Sequence, residues 1–348
     1  MRDVVQNTLS LGRLEGGCVS LLDGVAAAAQ DAPAVSGGRE SSTVMGLAAI
    51  VIWSCNIAVS RSLSEKVGAL TAGAAMFLLA GVVGCAWAAV VERRLGAMLR
   101  LPRAYLLGCG GLFVTYMVCL YLAIRLAATR QQTLEVGILN YLWPGLTLVF
   151  AIPLLGTRVR APFGLGVLLA LAGAALAPLR PGEYSLAALR AALGAHPWPY
   201  LLGLAAAVQW ALYSALSRRW AADAEGGAVP LFALASGLVL GALRLVLPEP
   251  AQWSARAVGE TLFMALVPTL IAYALWDRAM RRGNVTLVAA LSYLIPVLST
   301  FVSGFYLDVR VGWHLWLSCG LIVTGAVLCG RSVVRPAAAT ATAGRQAA

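Results

Sequence analysis

The chain is 348 residues long, 60% apolar, 12% charged and +11 in formal net charge. Soluble proteins run at ~45–50% apolar and ~25% charged residues, so a fold this apolar has too few charges to coat its exterior. That excludes a soluble enzyme, a disordered chain and a disulfide scaffold, and leaves a polytopic all-α integral membrane protein.

Residues 1–43 stand outside the apolar pattern. The stretch 18–29 is mildly apolar, but it carries Asp23 and is too short to cross a bilayer. Arg2 and Arg13 precede it and Ala-rich sequence follows, so a signal peptide is one reading. A disordered tail, or a non-native extension begun at an upstream start codon that the cell does not use, is the reading adopted. Ten runs of about 18–23 apolar residues follow, each sufficient to span: 44–61, 69–91, 104–124, 132–152, 162–179, 200–217, 229–247, 257–277, 285–306 and 313–330. Most connections are short, so sequential spans run antiparallel. The longest, 181–199, holds Pro181-Gly182-Glu183 and His196-Pro197-Trp198-Pro199; it predicts a short surface helix anchored at the interface by Trp198. Residues 332–348 read as a disordered Ala/Thr-rich tail.

Basic residues set the orientation. One set of span ends carries Arg39, Arg93, Arg94, Arg100, Arg103, Arg158, Arg160, Arg218, Arg219, Arg278, Arg281, Arg282, Arg331 and Arg335. The other carries Arg61, Lys66, Arg125, Arg130, Arg180, Arg190, Arg244, Arg256 and Arg310. The richer side is cytoplasmic, which places both termini inside. These loops are topology signals beside anionic lipid, not a nucleic-acid surface. The seven Cys form no CxxC and, Cys18 apart, lie in apolar segments, where they read as packing residues.

The chain repeats itself. Gly46-Leu-Ala-Ala-Ile-Val-Ile-Trp53…Ala58-Val-Ser-Arg61 matches Gly203-Leu-Ala-Ala-Ala-Val-Gln-Trp210…Ala215-Leu-Ser-Arg218 at an offset of 157, with nine of sixteen positions identical. Tyr141-Leu-Trp-Pro144 matches Tyr293-Leu-Ile-Pro296 at an offset of 152, and Arg158/Arg310, Gly173/Gly325 and Ala174/Ala326 keep that offset. Two five-helix repeats follow, 44–180 and 200–331. Five is odd, so the second enters the membrane inverted. Inverted repeats are a transporter architecture, with the cargo near the midplane where the repeats meet.

These residues resemble a known family. Ten helices in a 5+5 inverted repeat are similar to the drug/metabolite transporter superfamily with its EamA-type repeats. Gln132-Thr-Leu-Glu135-Val-Gly-Ile-Leu-Asn140-Tyr-Leu-Trp143-Pro144 resembles the signature of YddG-type aromatic amino-acid exporters, as do Trp53-Ser54, Gly283-Asn284-Val-Thr286, Ser292-Tyr293 and Pro296. The resemblance covers about 44–331. It implies export of aromatic and other neutral amino acids across a bacterial inner membrane; composition and spacing do not themselves show that cargo.

Buried polar groups in a bilayer are costly and are functional hypotheses by default. A neutral amino acid needs acceptors for its ammonium, donors for its carboxylate and an apolar wall. Asn56, Asn140 and Gln209 lie mid-span and offer both donor and acceptor; they read as cargo contacts or as interhelical hydrogen bonds. Trp53, Trp210, Tyr141, Trp143 and Tyr293 could wall an aromatic-accepting cavity or pack across the pseudo-two-fold, and Tyr116 and Tyr273 are weaker candidates of the same kind. Pro144 and Pro296 each remove a backbone bond inside a span, which predicts a gating hinge or a fixed bend. Glu135 is a possible proton site; its alternative is an ion pair with Arg125 or Arg130. Arg61 and Arg244 read as snorkelling helix-end residues. Gly237-x3-Gly241 fits a face for close helix contact and is slight evidence for a dimer, so a monomer or weak dimer is expected.

No HExxH, GxSxG, phosphate-binding loop or paired carboxylate is present. No catalysis, cofactor or metal is therefore expected, and transport would be secondary. Two alternatives remain: an exporter of another metabolite or drug, and, outside transporters, an intramembrane enzyme or assembly protein.

Overall fold

The computed structural model describes residues 37–179, 185–221, 227–282 and 292–334. The two tails, and the motif Gly283-Asn284-Val-Thr286, lie outside the described residues.

Among the described residues, eight segments are long and apolar enough to cross a membrane. Two shorter apolar helices, Pro162–Leu176 and Ile295–Tyr306, take the places of the expected fifth and ninth spans. The first span is two helices, α1 (Gly37–Trp53) and α2 (Asn56–Val67). Between them the Ser54 hydroxyl donates to Val51 O at 2.6 Å and the Cys55 thiol to Ile52 O at 2.8 Å. Short polar side chains that bond the preceding turn compete with the helix ladder, which is why the span breaks there. α3 (Ala69–Val90) is the second span, and α4 (Leu95–Leu99) caps the connection to the third. The third is a π-helical segment, Ala104–Cys109, continued by α5 (Gly110–Leu126). The fourth is again two helices, α6 (Arg130–Asn140) and α7 (Trp143–Leu155), followed by α8 (Pro162–Leu176).

The expected surface helix is α9 (Leu186–Ala195). The second half then runs through α10 (Pro197–Ala221), α11 (Val229–Val246) and α12 (Ala255–Met264). A π-helical segment, Ala265–Ile271, joins α12 to α13 (Ala272–Arg282). A 3-10 turn, Ser292–Leu294, leads into α14 (Ile295–Tyr306), and α15 (Trp313–Ser332) closes the bundle. A two-residue strand after α7, β1 (Arg158–Val159), pairs antiparallel with β2 (Val333–Val334), a contact that no sequence pattern announced.

The repeats meet through closely packed helix pairs, α3 with α11 and α8 with α15, whose contacts are exchanged by the pseudo-two-fold. A Cβ on Gly81 would come within 2.5 Å of the Leu234 backbone, and one on Gly237 within 2.5 Å of the Leu78 backbone. Both pairs are related by an offset of 156. Likewise a Cβ on Gly173 would meet Ser318 O at 2.7 Å, and one on Gly325 would meet Gly166 O at 2.4 Å, with an offset of 152. Without a hydrophobic drive inside lipid, helices associate by such backbone approach. This corrects the dimer reading of Gly237-x3-Gly241: that face is spent on α3 of the same chain.

The symmetric contact makes a stability prediction. Gly81→Ala and Gly237→Ala each lose about 1–3 kcal/mol to overpacking and lower the melting temperature in detergent. Gly111→Ala, where a Cβ meets nothing within 4 Å, gains up to about 1 kcal/mol of helix propensity.

Candidate functional site

The site grows from the interruptions in the spans. Trp53 ends α1, and its indole N–H donates to Pro268 O in the π-segment of the other repeat at 2.9 Å. Pro268 cannot donate to Met264 O, and the Thr269 hydroxyl takes that carbonyl at 2.9 Å. The π-segment is thus repaired locally, and its outward carbonyl holds Trp53.

Aromatic rings fill the space between the halves. Trp53 lies 5.1 Å from Tyr273 and 5.2 Å from Trp276, ring centre to ring centre. Trp210 lies 5.0 Å from Tyr116, 5.0 Å from Tyr213, 5.9 Å from Phe113, 6.3 Å from Tyr273 and 6.4 Å from Trp143. The offset of 157 that carries Trp53 onto Trp210 also carries Tyr116 onto Tyr273. The pairs Trp53/Tyr273 and Trp210/Tyr116 are therefore one contact made twice across the repeat interface.

The three amides border this cluster. Asn140 ends α6 and is 4% exposed. Its Oδ1 is buried without a hydrogen-bond partner. The Gln209 Nε2 donates to Cys119 Sγ at 3.6 Å, and its Oε1 is buried without a partner. Gln209 thus holds α5 one turn beyond Tyr116, the ring that meets Trp210. Asn56 opens α2, and its Oδ1 is likewise buried without a partner. Gly137, one turn before Asn140, packs on Ile57, which brings the α2 and α6 ends together.

Several expectations are corrected. Pro144 and Pro296 do not kink continuous helices. Each occupies the first turn of a restarted helix, α7 and α14, where a missing N–H costs nothing. Tyr141 packs with Ile50 and Ile295 in a small cluster against which Trp53, Trp143 and Trp276 of the ring cluster also pack. The side chain of Tyr293 lies outside the described residues. Glu135 is buried, but Arg130 pairs with Glu65 at 2.6 Å and Arg125 with Glu249 at 3.1 Å. Glu135 instead accepts a 2.6 Å hydrogen bond from Tyr200 on α10, which ties the repeats together. Arg61 and Arg244 do not merely snorkel. Arg61 donates to Ala127 O at the end of α5 at 3.0 Å, and Arg244 to Thr71 Oγ1 at 2.7 Å and Glu249 O at 2.6 Å. Phe113, Tyr213 and Trp276 were not singled out by sequence; only the fold reveals that they face the same space.

One end of the bundle is cross-linked between repeats. Glu249 accepts from Leu70 N at 3.2 Å and Thr71 N at 3.0 Å, the first turn of α3. Gly68 precedes that turn at φ 85°, and a Cβ there would lie 2.3 Å from Glu249 Oε2, so only glycine fits. Glu260 gathers Lys66 at 2.7 Å, Arg256 at 2.8 Å and Ser62 at 3.1 Å. At the opposite end Glu92 pairs with its neighbour Arg94 near the surface. A crevice of about 970 Å³ opens there between α1, α3, α11 and the eighth span. It reaches Tyr273, but its exposed wall residues Val83 and Trp87 mark it as a lipid-side opening beside the ring cluster.

A many-span helical bundle, joined across a pseudo-two-fold with unpaired polar atoms beside an aromatic cluster, has the build of a membrane carrier. The EamA-like transporter family matches residues 41–178 and 197–331, and the chain belongs to that family. It is 32% identical over 295 residues to the aromatic amino acid exporter YddG of Salmonella typhimurium (strain 14028s / SGSC 2262), covering 83% of this chain and 97% of the relative. The proteins of the same name from Escherichia coli (strain K12) and Ancylobacter novellus are 31% and 35% identical, over 84% and 83% of this chain and 97% of each relative. A solved crystal structure with 32% identity superposes with a TM-score of 0.59, over 83% of this chain and 96% of that one.

The cross-linked end predicts an asymmetry of stability. Glu249→Gln removes the charge that Arg125 and the start of α3 share and costs about 1.5–3 kcal/mol. Glu92→Gln, at a surface pair, costs under about 1 kcal/mol. Melting of the purified variants in detergent separates the two.

Proposed function

We propose that the chain exports aromatic and other neutral amino acids across a bacterial inner membrane by alternating access of its two repeats. The observation that carries the reading is the set of unpartnered Asn56, Asn140 and Gln209 oxygens beside the Trp53, Trp143 and Trp210 rings. Uncharged acceptors and π faces suit a zwitterion with an aromatic side chain, because a fixed charge would demand a permanent partner in lipid. The names of the relatives point to the same cargo. Helices that restart at Trp143 and Ile295 supply first-turn N–H groups of the kind that receive a cargo carboxylate.

In this proposal ten spans form the repeats 44–180 and 200–331, joined by 181–199 and flanked by the extensions 1–43 and 332–348. Both termini are cytoplasmic, because the Arg-richer span ends lie with them. The end closed by Glu249 and Glu260 then faces outward. The cargo site, with Pro144 and Pro296 at the restarted helices as hinges, is exposed by parting those ion pairs. A monomer suffices, as the close-packing face of α11 is occupied within the chain, and the surround is lipid.

Counterflow of labelled phenylalanine into liposomes holding the purified protein tests the reading. Wild type exchanges phenylalanine, and Asn140→Leu and Gln209→Leu each reduce exchange about tenfold or more, the worth of one hydrogen bond to a charged group. No exchange of any neutral amino acid by folded protein overturns the cargo and favours the metabolite or drug alternative. Exchange indifferent to an imposed proton gradient identifies a facilitator, with Glu135 as the structural partner of Tyr200. Accumulation driven by the gradient and lost in Glu135→Gln makes Glu135 the coupling carboxyl.

A further inference from the structure

We infer that the site recognises its ligand through the ammonium group, and that primary arylalkylamines, which carry no carboxylate, are ligands of the same site. The inference rests on the location of the site proposed above and extends its ligand class.

The polarity of the unpartnered atoms carries the argument. Asn56 Oδ1, Asn140 Oδ1 and Gln209 Oε1 are buried and have no hydrogen-bond partner. All three are acceptors. The donor end of Gln209 is already engaged, with Nε2 on Cys119 Sγ. In this arrangement Gln209 turns its donor end to α5 and leaves its acceptor end over. A buried acceptor left unsatisfied is costly, and an ammonium brings three donors. The neighbouring rings act in the same sense. Trp210 and Tyr116, and Trp53 and Tyr273, meet at 5.0 and 5.1 Å, and their π faces attract a cation and an aryl group alike. Trp143 extends the wall from α7. Side-chain recognition is therefore directed at the cationic and aromatic parts of the ligand. The carboxylate falls to helix-start N–H groups, which water can also satisfy.

The sequence supports this as the selective part of the site. The aromatic pairs recur in both repeats, but the amides do not: at the offsets of 152 and 157, Asn140 corresponds to Ser292, Gln209 to Ile52 and Asn56 to Tyr213. The acceptors are placed where the repeats differ, so they belong to one defined ligand orientation.

Calorimetric titration of the purified full-length protein with L-phenylalanine, 2-phenylethylamine and 3-phenylpropionate tests the inference without any variant. The expected result is binding of phenylalanine and of phenylethylamine in competition with each other, with phenylpropionate at least about tenfold weaker than either. Phenylalanine binding with phenylethylamine silent, or with phenylpropionate as tight as the amine, overturns the inference and leaves the amino-acid reading intact. Phenylethylamine binding without phenylalanine supports the inference and removes the amino-acid reading. Silence from all three removes both. Asn140→Asp provides a second measurement: a carboxylate in place of the amide raises the preference for phenylethylamine over phenylalanine about tenfold, and an unchanged or reversed preference in folded protein counts against ammonium contact at that position.

Discussion

Lipid offers no hydrogen bonds, so every polar group within the span must be satisfied by the protein itself. Most of this structure can be read as the consequence. Where α1 stops, the Ser54 and Cys55 side chains return to carbonyls of the last turn. Where Pro268 interrupts the eighth span, Thr269 takes one carbonyl and Trp53 another. Where the fourth and ninth spans restart, Thr147 donates to Trp143 O at 2.7 Å and Thr300 to Pro296 O at 2.8 Å. Against this pairing, three orphaned amide oxygens beside one ring cluster are conspicuous, and in the function proposed above they are what a cargo with donors would complete.

The same constraint explains how the halves hold together. With no solvent to drive apolar surfaces together, the repeats approach until backbone touches backbone, at Gly81 and Gly237 and again at Gly173 and Gly325. These contacts obey the pseudo-two-fold, as do the Trp/Tyr pairs of the site. Symmetric parts can serve both access states, since an exchange of the halves reproduces them. The ion pairs of Glu249 and Glu260 break the symmetry by closing one end only. The amides break it as well, since at the repeat offsets Asn140, Gln209 and Asn56 correspond to Ser292, Ile52 and Tyr213.

Two of the departures from sequence reasoning share a cause. Prolines 144 and 296 looked like breaks in long helices, because an apolar run of 21 or 22 residues does not reveal where one helix ends and the next begins. The structure shows the interruption one turn earlier, which turns each proline into a comfortable first-turn residue. Glu135 looked like a partner for Arg125 or Arg130 because they are close along the chain. Glu65 and Glu249, distant in sequence, outcompete it by geometry, and Tyr200 of the other repeat takes the carboxyl.

Sequence by itself determined the class of protein, the places of the eight membrane-length segments, the internal repeat and the identity of the polar residues worth watching. These follow from composition, run length and self-similarity, which are local or additive properties of the chain. It also singled out Asn56, Asn140 and Gln209, since amides are rare and costly in apolar runs. Tertiary structure alone decided that the oxygens of those amides are left without partners, that Tyr116 and Tyr273 pair with Trp210 and Trp53, that Phe113, Tyr213 and Trp276 join them, and which end of the bundle is locked. Each of these depends on residues many tens of positions apart being brought to within a few ångströms, and no local pattern encodes which of many buried rings and carboxylates will meet.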